Sequence, residues 1–194
     1  QSGAVSPGEI VTIFGANIGP ANAAGLVLTP QGMVSTNVAN TVVTFDGVAA
    51  PLIFVSANQI NAIVPYEIAG RVSSNVVVQR NGQSSTALQA RVVDTAPAIF
   101  SLSQGGNGQG AISNSDGSVN SASNPAAKRS VIVIYATGEG VTRPQPATGA
   151  VTSSTGPTFP APVNNVSVKI GGVPAVSYPY IGEAPGLVAG VLQV

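Results

Sequence analysis

The 194-residue chain contains no histidine and no cysteine. That removes imidazole bases, thiol nucleophiles and the usual zinc ligands together. Seven carboxyls remain for acid–base or metal chemistry: Glu9, Asp46, Glu67, Asp94, Asp116, Glu139 and Glu183. A glycosidase-type reaction needs two of them within about 5–10 Å across a cleft. They are far apart in sequence, and most stand next to glycine, where turn acids bind water or nearby backbone N–H groups. Solvated turn acids are the expectation. No catalytic residue and no cofactor is assigned, and the chain is read as a non-enzyme.

Three further stretches invite a chemical reading. Asn114-Ser115-Asp116-Gly117-Ser118 hints at a calcium loop, but Ile112 holds an earlier ligand position and no bidentate Glu follows, so an Asp-Gly turn is expected and no metal site. Gly105-Gly106-Asn107-Gly108-Gln109-Gly110 lacks the Lys-Ser/Thr ending and the following helix of a phosphate loop and reads as a surface loop. Of the four tyrosines, Tyr178 and Tyr180 share one face of their segment, because side chains alternate along a strand. They are the candidate ligand-facing aromatics for a sugar. Half-burial of that face is the competing reading. Asn165-Val166-Ser167 has the form of a glycosylation sequon.

Composition narrows the classes. Charged residues make up 7% and hydrophobic residues 44%, against roughly 25% charged in ordinary domains. Abundant Val, Ile and Thr argue against disorder. Seven acids balance seven bases, so no basic field exists for nucleic acid and no charged face for anionic lipid. A net charge of zero also removes the repulsion that keeps copies apart. No apolar run approaches the roughly 18 residues of a membrane span. Residues 1–3 carry neither a basic nor an apolar export region, so any signal is expected upstream or already removed.

The elements that must position these residues are strands. Short β-branched runs are bounded by Gly, Pro, Asn or Asp throughout, the pattern of an all-β sandwich. Strands are predicted at Ile10–Phe14, Thr41–Phe45, Pro51–Val55, Gln59–Val64, Ser74–Arg80 and Thr86–Val92, then at Val131–Tyr135, Ser167–Ile170, Ala175–Tyr180 and Leu187–Val194. Asn81-Gly82 and Asp46-Gly47 are predicted tight turns. Thr142–Pro162, with five prolines, reads as a loop, and a helical turn is allowed only near Ala21–Gly25 or Asn124–Lys128. Both faces of Ile10–Phe14 are mostly apolar, which predicts a central strand.

The chain also repeats itself. Ile10-Val11-Thr12-Ile13-Phe14 is echoed by Val131-Ile132-Val133-Ile134-Tyr135, and Phe45-Asp46-Gly47-Val48-Ala49-Ala50 by Ile170-Gly171-Gly172-Val173-Pro174-Ala175, at about the same offset. One supersecondary unit is duplicated. Two domains are expected, 1–95 and 96–194, the second without the closing hairpin that Ser74–Val92 gives the first.

Ser6-Pro7-Gly8-Glu9-Ile10-Val11-Thr12-Ile13-Phe14-Gly15, followed by Val43-Thr44-Phe45-Asp46-Gly47, resembles the IPT/TIG class of immunoglobulin-like domains. A closer resemblance is to the uncharacterised C-terminal domain of large secreted acidobacterial proteins. It is carried by Ser56 to Ile68, Asn120 to Ala126, Tyr135 to Gly140 and Ala184 to Gly190. The resemblance implies tandem immunoglobulin-like sandwiches on exported proteins and no activity.

The expected role is therefore structural: an extracellular or cell-surface stalk, adhesive segment or filament subunit. The alternative is a carbohydrate-binding accessory module of a secreted enzyme. The uncharged run 187–194 predicts an assembly edge at Leu187, Val188, Val191, Leu192 and Val194, open to another strand. Its partner would be a second copy, through Gln1–Ser6, or another segment of a longer parent chain. Polysaccharide is the other partner considered; nucleic acid and membrane insertion are not expected.

Overall fold

Alternating Val, Ile and Thr between turn residues produce strands almost everywhere. A computed structural model describes residues 3–104, 106–156 and 158–194. Expectations touching Gln1, Ser2, Gly105 and Pro157 lie outside the described residues at those positions.

The N-terminal unit contains β1 (Ala4–Val5), β2 (Ile10–Phe14), β3 (Ala24–Gly25), β4 (Thr41–Phe45), β5 (Val48–Ala50), β6 (Leu52–Val55), β7 (Gln59–Ile63), β8 (Ser73–Arg80), β9 (Gln83–Ser84) and β10 (Leu88–Val92). One sheet runs β1-β10-β8-β4-β5, with β9 on β8; the other runs β2-β7-β6-β3. Alternate residues point inward, Ser74, Val76 and Val78 on β8 and Thr41, Val43 and Phe45 on β4. Of these, Val43, Phe45, Val76 and Val78 meet Leu52, Val55, Ile60 and Ala62 of the other sheet in one core. Asp46 and Gly47, then Asn81 and Gly82, all have positive φ, between 48° and 84°. Two positive-φ residues in a row make the type I′ turn that right-twisted strands need.

Two expectations change here. β2 is an edge strand, pairing only with β7. Val11 and Ile13 do pack on the core, but Phe14 is 75% exposed; apolar character on a second face was not evidence of a second neighbour. The one helical turn among the described residues is Tyr66–Ile68. It is held by Ala69 N–H to the Tyr66 carbonyl, and neither Ala21–Gly25 nor Asn124–Lys128 is helical.

The C-terminal unit contains β11 (Ala98–Ile99), β12 (Ile112–Asn114), β13 (Ile132–Thr137), β14 (Thr142–Arg143), β15 (Ala161–Pro162), β16 (Lys169–Ile170), β17 (Val173–Pro174), β18 (Gly182–Glu183) and β19 (Leu192–Gln193). β13 lies between β11 and β19, with β18 beyond β19 and β12 also on β13. β14 pairs with β15 and β16 with β17 as separate ribbons. None of these sheets includes a strand from the first ninety-two residues.

The two echoed segments pair at corresponding positions. Phe14 pairs with Gln59 on β2–β7, and Tyr135 pairs with Gln193 on β13–β19. Ile13 pairs with Ile60, and Ile134 exchanges both backbone hydrogen bonds with Val194 at 2.8 and 3.0 Å. β4–β5 and β16–β17 are likewise equivalent hairpins. Three predicted strands of the C-terminal unit shrink, and of Ser167–Ile170 only Lys169–Ile170 is strand. Ala175–Tyr180 forms none: Pro179 lies within it and has no N–H to give a ladder, and Tyr178 is tied to Val168 through its side chain. Of Leu187–Val194 only Leu192–Gln193 is strand, since Gly190 turns the chain at φ +101°.

Candidate functional site: a carboxyl seam between the two units

Three of the seven acids are not in solvent. Glu9, Glu139 and Glu183 are 1%, 3% and 0% exposed, and they gather where the two units meet. Glu9 closes the turn before β2: its Oε2 accepts the Ser6 N–H at 2.8 Å, while its backbone carbonyl accepts the Val64 N–H. Glu183 sits on β18. Its Oε2 accepts the Gly190 N–H at 2.8 Å, and its Oε1 accepts the Tyr66 hydroxyl of the N-terminal unit at 3.0 Å. Glu139 follows β13, and neither of its carboxyl oxygens has a hydrogen-bond partner among the described residues.

The backbone around these acids is fitted closely. Thr137 Oγ1 accepts the Ile10 N–H at 2.8 Å and donates to the Gly190 carbonyl at 2.7 Å, joining the free edge of β2 to the other unit. A Cβ at Gly190 would overlap the Gly8 carbonyl oxygen, and one at Gly140 would overlap the Asp94 carbonyl of the connecting segment. Only glycine fits either place, both with positive φ. A second contact lies beside the first. Thr148 Oγ1 accepts the Tyr66 N–H and donates to Glu67 Oε2, and the Val34 N–H reaches the Gly149 carbonyl at 2.8 Å.

Burial decides the protonation. Loss of water pushes Glu9 up to about 7, although its bonds from Ser6 pull the other way. Burial, then the neighbouring Glu183 charge, pushes Glu139 up to about 8. Glu183 is also raised by burial, but two donated hydrogen bonds favour its carboxylate. Burial and the Glu183 charge both oppose ionisation of Glu139, so the proton of this pair resides on Glu139 at neutral pH. The phenol of Tyr66 is raised by burial and by Glu183, so it stays a hydrogen-bond donor.

Closed from solvent, these acids offer no surface to a substrate. No group of three or more His, Cys, Asp or Glu among the described residues could hold a metal ion. The other four acids do what turn acids do. Asp116 Oδ1 accepts both the N–H and the hydroxyl of Ser118, and Gly117 N–H closes back on Asn114, an Asp-Gly turn. Asp46 accepts the Asn75 N–H and pairs with Arg71 at 2.7 Å. Glu67 takes the Thr148 hydroxyl, and Asp94 stands exposed in the connecting segment.

The predicted assembly edge needs correction. Val191 and Leu192 are buried, Leu192 pairs with Ala136 on one side and Glu183 on the other, and Val194 is bonded to Ile134. Val188 bridges to Val151, which leaves Leu187 alone as exposed. This run fills the seam and is not an open edge. The proposed donor is committed as well: Ala4–Val5 pairs in parallel with Arg91–Val92, and Ser6 is buried. Tyr178 and Tyr180 are both half-buried. The Tyr178 hydroxyl accepts the Val168 N–H, and Tyr180 donates to the Glu183 carbonyl and meets Phe159 edge to face.

Sequence reasoning named all three seam acids but left them in solvent. The available signal was glycine: each follows one directly, at positions 8, 138 and 182.

The fold agrees with one comparison. Comparison with curated proteins and with solved structures returns no match. The family model of the IPT/TIG domain matches residues 1–92, the span that holds both sheets of the N-terminal unit. Domains of this kind are immunoglobulin-like structural and interaction modules. Residues 1–92 are an IPT/TIG-type immunoglobulin-like domain.

Proposed function

We propose that the chain is a rigid two-domain spacer: a stalk or adhesive segment of an extracellular or cell-surface assembly, in which the second unit is locked onto the IPT/TIG domain. The observation that carries this reading is the Tyr66–Glu183–Gly190 connection, buried and fully made across the seam. Flexible tandem domains present small, polar, hydrated contacts. Here three carboxyls, two hydroxyls and glycine-only backbone contacts are withdrawn from water, which stabilises one relative orientation. A location outside the cell is supported by the resemblance to domains of secreted proteins and by the absence of cysteine. Protein partners fit an IPT/TIG domain better than small molecules do.

Calorimetry tests the reading. A rigid spacer is expected to melt in one transition whose calorimetric and van't Hoff enthalpies agree. Two resolved transitions, one per unit, would count against it.

A further inference from the structure

One position in the repeat is occupied in the first unit and open in the second. Phe45 on β4 is 1% exposed, paired with Val76 of β8. Its equivalent Ile170 on β16 is 57% exposed. β16 pairs only with β17, and every residue from Lys169 to Pro174 is exposed. In the N-terminal unit, β8 and β10 fill the space between β4 and β1. The equivalent space, between Ile170 and Ala126, is a slot of 510 Å³ floored by Ile99, Ile112, Ile132 and Ile134.

The rim of the slot has a charge. Lys128, Arg129 and Lys169 line it, three of the chain's seven cations, with no acid among the lining residues. None is in an ion pair among the described residues, whose one salt bridge is Arg71–Asp46. An unpaired strand edge, an apolar floor and a basic rim together specify an occupant. The edge asks for backbone, the floor for alternate apolar side chains, and the rim for carboxylates.

We propose that this slot binds an extended polypeptide segment from outside these 194 residues, apolar at alternate positions and acidic at its ends. It adds antiparallel to β16 in the register that Val76 holds against Phe45. The repeat supplies the template for the fit, and the three cations supply the preference for acid. This goes beyond the rigid-spacer reading and uses none of the seam residues.

The test uses the whole chain and two synthetic eight-residue peptides. Both carry valine at alternate positions; one ends in glutamate at each side, the other in lysine. The acidic peptide is expected to bind saturably, one per chain, and to slow amide exchange at Lys169 and Ile170. The lysine peptide is expected to bind at least about tenfold more weakly at low salt, and Ile170→Glu to weaken the acidic peptide by about the same factor. Ile170 is exposed, so this variant is expected to fold, with the thermal transition of the whole chain as the check. Absence of binding, equal binding of both peptides, or binding untouched by Ile170→Glu would overturn the proposal. So would slot amides already protected by a second copy of the chain. Loss of peptide binding with a single thermal transition retained would sink this proposal and leave the rigid spacer standing.

Discussion

The Tyr66 hydroxyl donates a 3.0 Å hydrogen bond to Glu183 Oε1, joining the helical turn between β7 and β8 to a residue 117 positions further along. Both side chains are buried. A carboxylate in such a place is stabilised by the donors aimed at it, and the Gly190 N–H supplies the other. Tyr66→Phe keeps the ring against Gly8 but removes one donor. It is expected to cost about 2 kcal/mol in urea unfolding. A cost near zero would mean that the bond contributes nothing to holding the units together.

The seam should make stability depend on pH. Glu9, Glu139 and Glu183 all have folded-state values above the ordinary 4.5. The folded chain therefore binds more protons than the unfolded one between about 4.5 and 8. Their favourable contribution is fully present below 4.5 and is lost as pH rises through about 7 for Glu9 and about 8 for Glu139. Asp46 and Asp116 act oppositely: their values are lowered by hydrogen bonds, so their contribution is lost as pH falls below 3.8. Stability is expected to peak near pH 4.5–5 and to fall toward pH 8. Between those values the slope should reach about 1.4 kcal/mol per pH unit for each titrating seam acid. Urea midpoints across that range are the measurement, and a flat profile would contradict the burial of these acids.

Glu139→Gln removes one titrating group without changing size. The variant is expected to be more stable than the parent at pH 8 and little changed at pH 5, because the amide cannot ionise. Equal shifts at both pH values would indicate a packing defect instead.

Thr137→Val tests the bridge between β2 and the 190 turn. The valine matches the shape but leaves the Ile10 N–H and the Gly190 carbonyl without this partner. A loss of about 2–4 kcal/mol is expected for two stranded backbone groups. Amide exchange at Ile10 should quicken before that of β7; unchanged exchange there would argue against the bridge.

Much of this fold was legible because it is local. Asn81-Gly82 and Asp46-Gly47 announce their turns, and alternation along Ser73–Arg80 and Thr41–Phe45 marks which side chains enter the core. The echoed runs pair alike, Phe14 with Gln59 and Tyr135 with Gln193. The glycines before Glu9, Glu139 and Glu183 mark these acids, but their meeting in one seam was not legible. Nothing in the neighbourhood of Glu9 says that residues 139 and 183 will shield it, since the contact depends on how two units dock. The same limit produced the error at β2. Five apolar or β-branched residues do not say how many strands lie beside them. The run 187–194 misled for a related reason: an uncharged stretch reads alike whether it is an edge or a buried seam.

The edge position of β2 has its own consequence. Phe14 is exposed and Ile60, its near neighbour on β7, is fully buried. Phe14→Ser is expected to change stability by less than about 0.5 kcal/mol, whereas Ile60→Ala should cost about 2–5 kcal/mol through the cavity it leaves. Similar costs for the two would restore β2 to the sheet interior.

The rigidity of the two-unit piece is most directly read from residual dipolar couplings of backbone amides in the full chain at pH 5. One alignment tensor is expected to fit β4, β7 and β8 together with β13 and β19. In Glu183→Ala, which removes the carboxylate shared by Tyr66 and Gly190, the fit should degrade into two. Separate tensors for the two units in the unmutated chain would contradict a locked seam and with it the rigid spacer.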